Sequence, residues 1–483
     1  MTTPVFELMS ETKLKVILDE ALHVLSKVGV LIEDDYAIEL LAEFGARING
    51  DKTVFFPEDL VEKCLSTVQG SFEIFDREEN PTLKMGKNEV HFDPGSSALS
   101  VFDWKMGQQR PAATQDLINF HRLIQELSGM AAQSTGLISS DVAEGIQDSY
   151  RLFIALQYCS KPVITGVFSD AGFEPMKEML TLIRGNSEKL RQKPLAVFDC
   201  CPTSPLKWSK LGCNSLIQCA LSGIPAELVP MPLMGATAPG TIAGTLVQHT
   251  VENLSGLVIH QLAYPGAPLI WGTAAVAFDM RYGTTPMGAI ETMMLGSCCA
   301  KIGKLLGLPT HAYMGLSDAK MLDSQAGIET GMGALIGALS GINIISGPGM
   351  LDFLNCQSLE KLVIDNEICE MVQRKIRGVE LRDGFSQDLF GDIKAGEHFL
   401  TSAHTMEWMR EESFFPSTIL DRESYESWEK TGGKSAGERA HQKVQEILQK
   451  DQMVGLDAKA VNELKKIMTT ESRKYGAEEL PKK

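Results

Sequence analysis

The richest chemistry in the chain is concentrated between residues 309 and 329. Pro309 opens a short apolar run that reads as a strand, and His311 and Tyr313, two apart, place an imidazole and a phenol on one face of it. Gly315-Leu-Ser-Asp318 ends the run. Asp323 or Ser324 then caps a helix on which Gln325 and Glu329, four apart, point the same way. If that helix face looks across the end of the strand, a ring, an imidazole, an amide and one carboxylate share a pocket. The competing reading leaves Asp323 a plain cap and Glu329 a solvated side chain.

Other signatures are excluded by spacing. The nine histidines include no His-Glu-x-x-His and no His-x-His, and Glu397-His398 with His404 reads as surface, so no metal site is expected. No Gly-x-Ser-x-Gly occurs, and Cys200-Cys201 at a strand end has no neighbouring histidine, which favours packing over nucleophilic catalysis. Gly331-Met-Gly333 falls inside a helix, no Gly-x-Gly-x-x-Gly follows a strand, and there is no phosphate loop. The segments after the expected strands are Asp199–Leu206, Met231–Gly240, Phe278–Gly283, His311–Glu329 and Gly347–Phe353. They are apolar, rich in methionine and aromatic residues, and suit an organic molecule held by shape better than a polyphosphate.

The 483 residues carry 45 Lys and Arg against 62 Asp and Glu, a net charge of −17. That balance argues against a nucleic-acid or polybasic membrane-surface protein. Ten cysteines without a Cys-x-x-Cys read as reduced, mostly buried small hydrophobes. The N-terminus lacks the basic and apolar regions of a signal peptide. The most apolar stretch, 254–271, contains His260, Gln261 and two prolines and is no membrane span. A cytoplasmic protein is expected.

The positioning elements follow from periodicity. Leu14, Val16, Ile17, Ala21, Leu22, Leu25 and Val28 predict a helix, Asp35 to Phe44 a second, and Pro57 opens a third. Asn88–Asp103 reads as two strands around a Pro-Gly turn, completing an N-terminal helical and hairpin extension over 1–112. From Thr114 onward, strands at Ala131–Leu137, Pro162–Phe168, Pro194–Cys200, Ala226–Pro230, Pro268–Ala274, Pro309–Met314 and Ile342–Ser346 alternate with helices. Near-continuous apolar strands at this spacing predict an α/β fold, a TIM-type (β/α)8 barrel over 113–395, rather than an open doubly wound sheet. The eighth strand is assigned either to Lys375–Leu381 or to the N-terminal extension. A C-terminal helical segment over 396–483 follows, with Trp408, Phe414 and Phe415 as anchors. Apolar outer helices suggest a homo-oligomer.

Several of these segments together resemble the trimethylamine methyltransferase superfamily, corrinoid-dependent enzymes whose founding member carries pyrrolysine. The likeness rests on Gln109-Arg-Pro-Ala-Ala-Thr-Gln-Asp116, Thr203-Ser-Pro-Leu206, Met234-Gly-Ala-Thr-Ala-Pro239 with Ala243-Gly244, Asp279-Met-Arg281 with Gly283, and Ser317-Asp-Ala-Lys320 through Glu329. It runs from about residue 10 to residue 420 and lies in the order and spacing of these motifs. The resemblance implies a barrel that docks a separate corrinoid-binding protein at its rim, with cobalamin supplied by that partner and no tightly bound cofactor of its own. The position of pyrrolysine falls near Gly315–Ser317, where this chain reads Gly-Leu-Ser. Family members without pyrrolysine look like demethylases of quaternary amines such as glycine betaine, proline betaine and carnitine.

On that implication, the aromatic candidates for gripping a trimethylammonium are Phe198, Trp271, Phe278, Tyr282, Tyr313 and Phe353, with Tyr313 and Trp271 foremost. Arg281 offers a donor fork for a betaine carboxylate, or else pairs with Asp279. His311, Gln325 and Glu329 are the candidates around the reacting centre. The reading requires Trp271, Arg281, His311 and Tyr313 to share one accessible mouth. Its alternatives are a corrinoid-independent lyase or hydrolase using His311 and Glu329 as acid and base, and an inactive betaine-binding scaffold.

Overall fold

Eight short parallel strands, each followed by a helix, organise the chain. A computed structural model describes residues 6–169, 171–382, 390, 398–450, 455–476 and 480–481. The helices Glu11–Lys27 (α1), Asp35–Glu43 (α2) and Glu58–Leu65 (α3) form where periodicity places them. The Asp34 carboxylate caps α2 by accepting from Ala37 N at 2.8 Å. A hairpin of β1 (Phe72–Phe75) and β2 (Pro81–Met85) comes next.

The parallel strands are β3 (His91–Asp93), β4 (Gln133–Ser134), β5 (Val163–Gly166), β6 (Ala196–Cys200), β7 (Ala226–Leu228), β8 (Leu269–Trp271), β9 (His311–Tyr313) and β10 (Ile344–Ser346). Ladders join β4 to β5, β5 to β6, β6 to β7 and β7 to β8. Others join β9 to β10 and β10 to β3. Trp271 N donates to Pro309 O at 2.9 Å and links β8 to the start of β9, and Ala131 N donates to Phe92 O at 2.8 Å and links β3 to β4. Each strand thus has a bonded neighbour on both sides. The helices that follow them in turn are α4 (Thr114–Glu126), α5 (Gln147–Tyr158), α6 (Phe173–Arg184), α7 (Lys210–Ser222), α8 (Ile242–Ala263), α9 (Ile290–Leu305), α10 (Ser324–Leu339) and α11 (Leu359–Ile376).

The N-terminal segment supplies β3, so the boundary expected after residue 112 passes between a strand and its partners. His91–Asp93 and Ser100–Asp103 are both strands, as expected, but they do not pair with each other: the second pairs with Gln108–Pro111. Lys375 lies near the end of α11 and Leu381 is exposed, which removes that segment as a strand. The boundary expected between residues 395 and 396 lies outside the described residues, as does Glu397. The helices Ala436–Gln449 (α12) and Ala458–Lys474 (α13) pack on α11 and α6 respectively. Phe415, expected as an anchor, is exposed, whereas His441 of α12 stacks on Trp104 and bonds Glu360 at 2.8 Å.

Side-chain alternation divides the ring into layers. Ala132, Ile164, Val197, Ile270 and Ile344 form one apolar cluster with Ile74, Leu83 and Met85 of the β1–β2 hairpin, which closes that end. Two residues further along, the same inward face carries Ser134, Gly166, Asp199 and Ser346, so the apolar floor gives way to a polar layer. The alternate residues Phe198, Leu228, Trp271 and Ala312 belong instead to the outer core shared with the helices.

Asn343 fastens the closed end. Its Nδ2 donates to Gly86 O (2.9 Å) and Glu89 O (2.7 Å), while its Oδ1 accepts from Thr310 N (2.9 Å) and Lys304 Nζ (2.6 Å). Asn343→Ala strands these buried groups and is expected to cost about 1–3 kcal/mol or more of unfolding free energy, measured by urea denaturation. An unchanged midpoint would contradict this role.

Candidate functional site

The polar layer above the apolar floor holds more negative charge than positive. Glu227 is the central residue of β7, with Ala226 and Leu228 turned to the outer core, so its carboxyl points inward. It is fully buried, Oε1 lies 2.5 Å from His311 Nδ1, and Oε2 has no hydrogen-bond partner among the described residues. His311 Nε2 stands 2.8 Å from Ser346 Oγ, and that hydroxyl donates to Asp93 Oδ1 at 2.5 Å. Because the serine proton is given to Asp93, His311 Nε2 is the donor to Ser346. A carboxylate oxygen and a bare ring nitrogen cannot rest 2.5 Å apart, so one proton sits between Glu227 and His311 Nδ1.

Asp199, next to Glu227 in the β6–β7 register, is half-buried, and its Oδ1 has no partner among the described residues. Burial first, then the neighbouring Glu227, pushes its pKa well above the carboxylate range. Burial does the same to Glu227 and lifts Asp93 to about 7. The imidazole of His311 is pushed down by burial against the pull of Asp93 and Asp199. Arg151 is the cation whose field reaches Asp199, but its Nη2 is paired with Asp148 at 3.2 Å. Three carboxyl groups therefore surround one imidazole.

Two aromatic rings and a thiol complete the layer. Tyr313 is half-buried, stands edge-on to His311 with ring centroids 4.9 Å apart, and places its hydroxyl 3.4 Å from Ser96 Oγ. Phe168, just after β5, is 53% exposed, with the Arg151 guanidinium 5.2 Å from its centroid. Part of Cys201 is exposed, but desolvation at its sulfur, together with Asp199 and Glu227, pushes the thiol up to about 12, so it is no thiolate nucleophile. The other nine cysteines are buried. Among the described residues no group of three side chains could hold a metal ion.

His311 and Tyr313 stand together as their spacing predicts, but the remaining expected residues do not join them. Trp271 is fully buried outside the strands: its indole donates to Cys299 O of α9 at 3.0 Å and meets His249 of α8 edge-on. Gly303 of α9 makes room for it, since a Cβ there would lie 2.7 Å from the indole. Phe198 packs edge-on against Phe173 of α6. Both residues sit on the outward parity of their strands, which corrects their assignment to the pocket. Arg281 is 79% exposed and both ends of its fork bind Asp279, Nε–Oδ1 at 3.0 Å and Nη2–Oδ2 at 2.6 Å, so it is not a free carboxylate receptor. Trp271, Arg281, His311 and Tyr313 do not share one mouth, so the site that the sequence reading required is not formed, and any amine site has to be built from other residues around His311 and Tyr313.

Phe278, Tyr282, Arg281, Gln325, Glu329 and Phe353 line instead a surface cleft of about 690 Å³. Asp323 is the cap of α10, accepting from Gln325 N at 2.9 Å and Ala326 N at 3.2 Å. Gln325 Nε2 donates to Glu329 Oε1 at 2.9 Å, as their four-residue spacing predicts. Glu329 Oε2 accepts from Ser317 Oγ at 2.6 Å and Asp318 N at 2.8 Å, which ties the helix to the segment after β9. Glu329 is half-buried and bonded on both oxygens, and it is not paired with His311. Phe353 is covered by the Lys320 ammonium, 3.7 Å from its centroid. Gly333 lets α10 press on the same segment, since a Cβ there would lie 1.8 Å from Met314 O. Residues 323–333 thus hold the end of the strand that carries His311 and Tyr313.

Asp93, Glu227, Ser346, Arg151 and Phe168 were not anticipated, nor was a role for the charge of Asp199. The available signal was parity: a lone Glu inside Ala226-Glu-Leu228, in a strand buried on both faces, needs a reason to be there.

A family model described as trimethylamine methyltransferase (MTTB) matches residues 1–476, and the chain belongs to that family. It is accordingly a methyltransferase. Among its relatives, a trimethylamine methyltransferase MttB of Desulfitobacterium hafniense (strain DSM 10664 / DCB-2) is 29% identical over 469 residues, 97% of this chain and 94% of that one. A glycine betaine methyltransferase of Desulfitobacterium hafniense (strain Y51) is 26% identical over 478 residues, 98% of this chain and 99% of that one. The crystal structure of the Methanosarcina barkeri monomethylamine methyltransferase (MtmB) superposes with a TM-score of 0.47 at 12% identity, covering 90% of this chain and 98% of that one. No helix among the described residues is long and apolar enough to cross a membrane.

The buried carboxyls predict a distinctive pH dependence of stability. Asp93 titrates near 7 in the folded protein against 3.8 ordinarily, so between those values the folded chain keeps a proton the unfolded chain has lost. Stability from this group is therefore lost as pH rises through that window, by an amount on the order of 4 kcal/mol at most. Asp93→Asn, which preserves an acceptor for Ser346, should gain stability relative to wild type between pH 4.5 and 7.5 in urea denaturation. Parallel pH profiles would contradict the assignment.

Proposed function

We propose that the eight paired strands form a TIM-type (β/α)8 barrel, with β3 as its first strand and α12 and α13 as a C-terminal addition. We further propose that its open end transfers a methyl group from a quaternary amine to the Co(I) corrinoid of a separate corrinoid-binding protein. The observation that carries this reading is the inner layer itself. Asp93, Asp199 and Glu227 gather around one imidazole, with Tyr313 and Phe168 partly open beside them. A fixed positive charge with methyl groups complements such a layer in both respects: carboxylates supply counter-charge and ring faces supply cation–π contact worth about 0.5–2 kcal/mol each. The name of the glycine betaine methyltransferase relative supports the substrate class.

A quaternary ammonium needs no acid from the site in order to leave. The methyl carbon is attacked in line, the C–N pair stays on nitrogen, and the amine leaves neutral with no proton required. The residues of this chain then have to bind, orient and dehydrate one N–CH₃ group. Tyr313 and Phe168 flank the cation, His311 is locked as the Nε2–H tautomer by Ser346, and the β1–β2 hairpin closes the far end. The sole corrinoid contribution is a nucleophilic metal brought by the partner. An acid–base lyase using His311 and Glu329 finds no support, since each is bonded within a different set of residues.

The test is to mix the protein with a Co(I) corrinoid protein and offer glycine betaine, proline betaine, carnitine, γ-butyrobetaine or trimethylamine. Methylated cobalt, followed by absorbance, is expected with a quaternary amine and not with trimethylamine. Tyr313→Ala and Phe168→Ala should each lower kcat/KM more than tenfold, equivalent to about 1.4 kcal/mol. Arg281→Ala should alter the KM for the amine less than threefold. No methylation from any quaternary amine would overturn the reading.

A further inference from the structure

The inner layer poses a problem of charge. Glu227 and Asp93 are fully enclosed, Asp199 is half-enclosed, and Glu227 Oε2, Asp93 Oδ2 and Asp199 Oδ1 all lack hydrogen-bond partners among the described residues. Buried carboxylates in other parts of the molecule are satisfied differently: Glu252 accepts from Ser204 Oγ, Leu206 N and Gln248 Nε2. The titratable groups in electrostatic reach of the cluster are His311 and Tyr313 on β9, Arg151 on α5 with its partner Asp148, Cys201 just after β6, and, from the outer side, Cys200 of β6 and Cys369 of α11. Arg151 is already neutralised by Asp148, and the thiols and the phenol add no positive charge. With the site empty, three ionised carboxylates around one imidazole would repel one another in a poorly solvated space.

We propose that Glu227 and Asp199 recognise the ammonium by exchange, so that each quaternary amine entering the layer displaces one proton from the carboxyl cluster into water. This rests on the reading that the substrate is a quaternary amine. The raised pKa values of Asp93, Asp199 and Glu227 agree with protons being stored there before binding. On binding, one carboxyl O–H bond breaks, its proton passes to water, and the carboxylate that remains balances the ammonium. On methyl transfer, the C–N bond breaks with its pair retained by nitrogen, and the carbon bonds to the electron pair of the acceptor. The positive charge has then left the layer, so a carboxylate takes a proton back from water and the neutral amine loses its counter-ion. Entry is favoured by charge, and release follows from the loss of that charge. The same exchange discriminates against a neutral molecule of identical shape, which cannot stabilise the ionised carboxylate.

Calorimetry on the full chain in buffers of different ionisation enthalpy tests this, with glycine betaine, γ-butyrobetaine and tetramethylammonium as cationic probes. The neutral-headed control is 3,3-dimethylbutyrate, in which carbon replaces the ammonium nitrogen. About one proton released per cation bound at pH 6.5 is expected, with affinity rising about tenfold per pH unit until the carboxyl is ionised. 3,3-Dimethylbutyrate should release none. Glu227→Gln or Asp199→Asn should at least halve the release and flatten the pH slope. If either variant fails to fold by circular dichroism, the wild-type buffer and pH series still decides. Binding of a cation without proton release, and with an affinity constant from pH 5.5 to 8.5, overturns the exchange while leaving methyl transfer intact. Failure of every quaternary amine both to bind and to donate a methyl group overturns the underlying reading.

Discussion

Burying several carboxyl groups around a single imidazole is costly, and the molecule is built so that this cost falls in one place. In water each carboxylate would be solvated; inside the ring of strands, solvation must come from a proton, a hydrogen bond or a bound cation. The structure supplies hydrogen bonds sparingly. Ser346 serves Asp93, one proton serves Glu227 and His311 together, and part of Asp199 goes unserved. On the proposed function, a quaternary amine would supply the positive charge that these carboxyl groups lack. The overall charge of −17 extends the same preference outward as a field favouring cations.

The scaffold makes that arrangement possible by period-two alternation. On one parity, apolar side chains fill the closed end against the β1–β2 hairpin, and two residues later the same faces turn polar. On the other parity, Phe198 and Trp271 fasten strands to α6, α8 and α9. A single step along β6 or β8 thus separates a residue that touches the interior from one that holds the wall. Helix α10 contributes indirectly: through Glu329 and the bare Gly333 it sets the segment after β9, and so the strand carrying His311 and Tyr313.

Much of the architecture was legible because apolar runs and amphipathic helices alternate so regularly from Thr114 onward. The strand His91–Asp93 was harder to place, since its partner lies some 250 residues away and nothing local distinguishes it from a hairpin arm. The site was partly legible. His311 and Tyr313 were found because an i, i+2 polar pair stands out in an apolar strand. Residue type near a strand end does not distinguish pocket from wall, and Phe198 and Trp271 lie on the outward parity that makes them wall. Arg281 and Asp279 were recognised as a possible pair, and the pair is what forms. Glu227 is a single charge inside a very short strand, and its isolation among apolar neighbours is the only local signal it gives.

The most direct measurement locates the cation. Arsenobetaine replaces the quaternary nitrogen of glycine betaine with arsenic, which scatters anomalously, so crystals of the protein soaked with it would show the charged centre without ambiguity. The account places that centre in the inner layer, within about 6 Å of the Tyr313 ring and beside the carboxyl groups of Asp199 and Glu227. An arsenic peak in the outer cleft, among Phe278, Gln325 and Glu329, would contradict it.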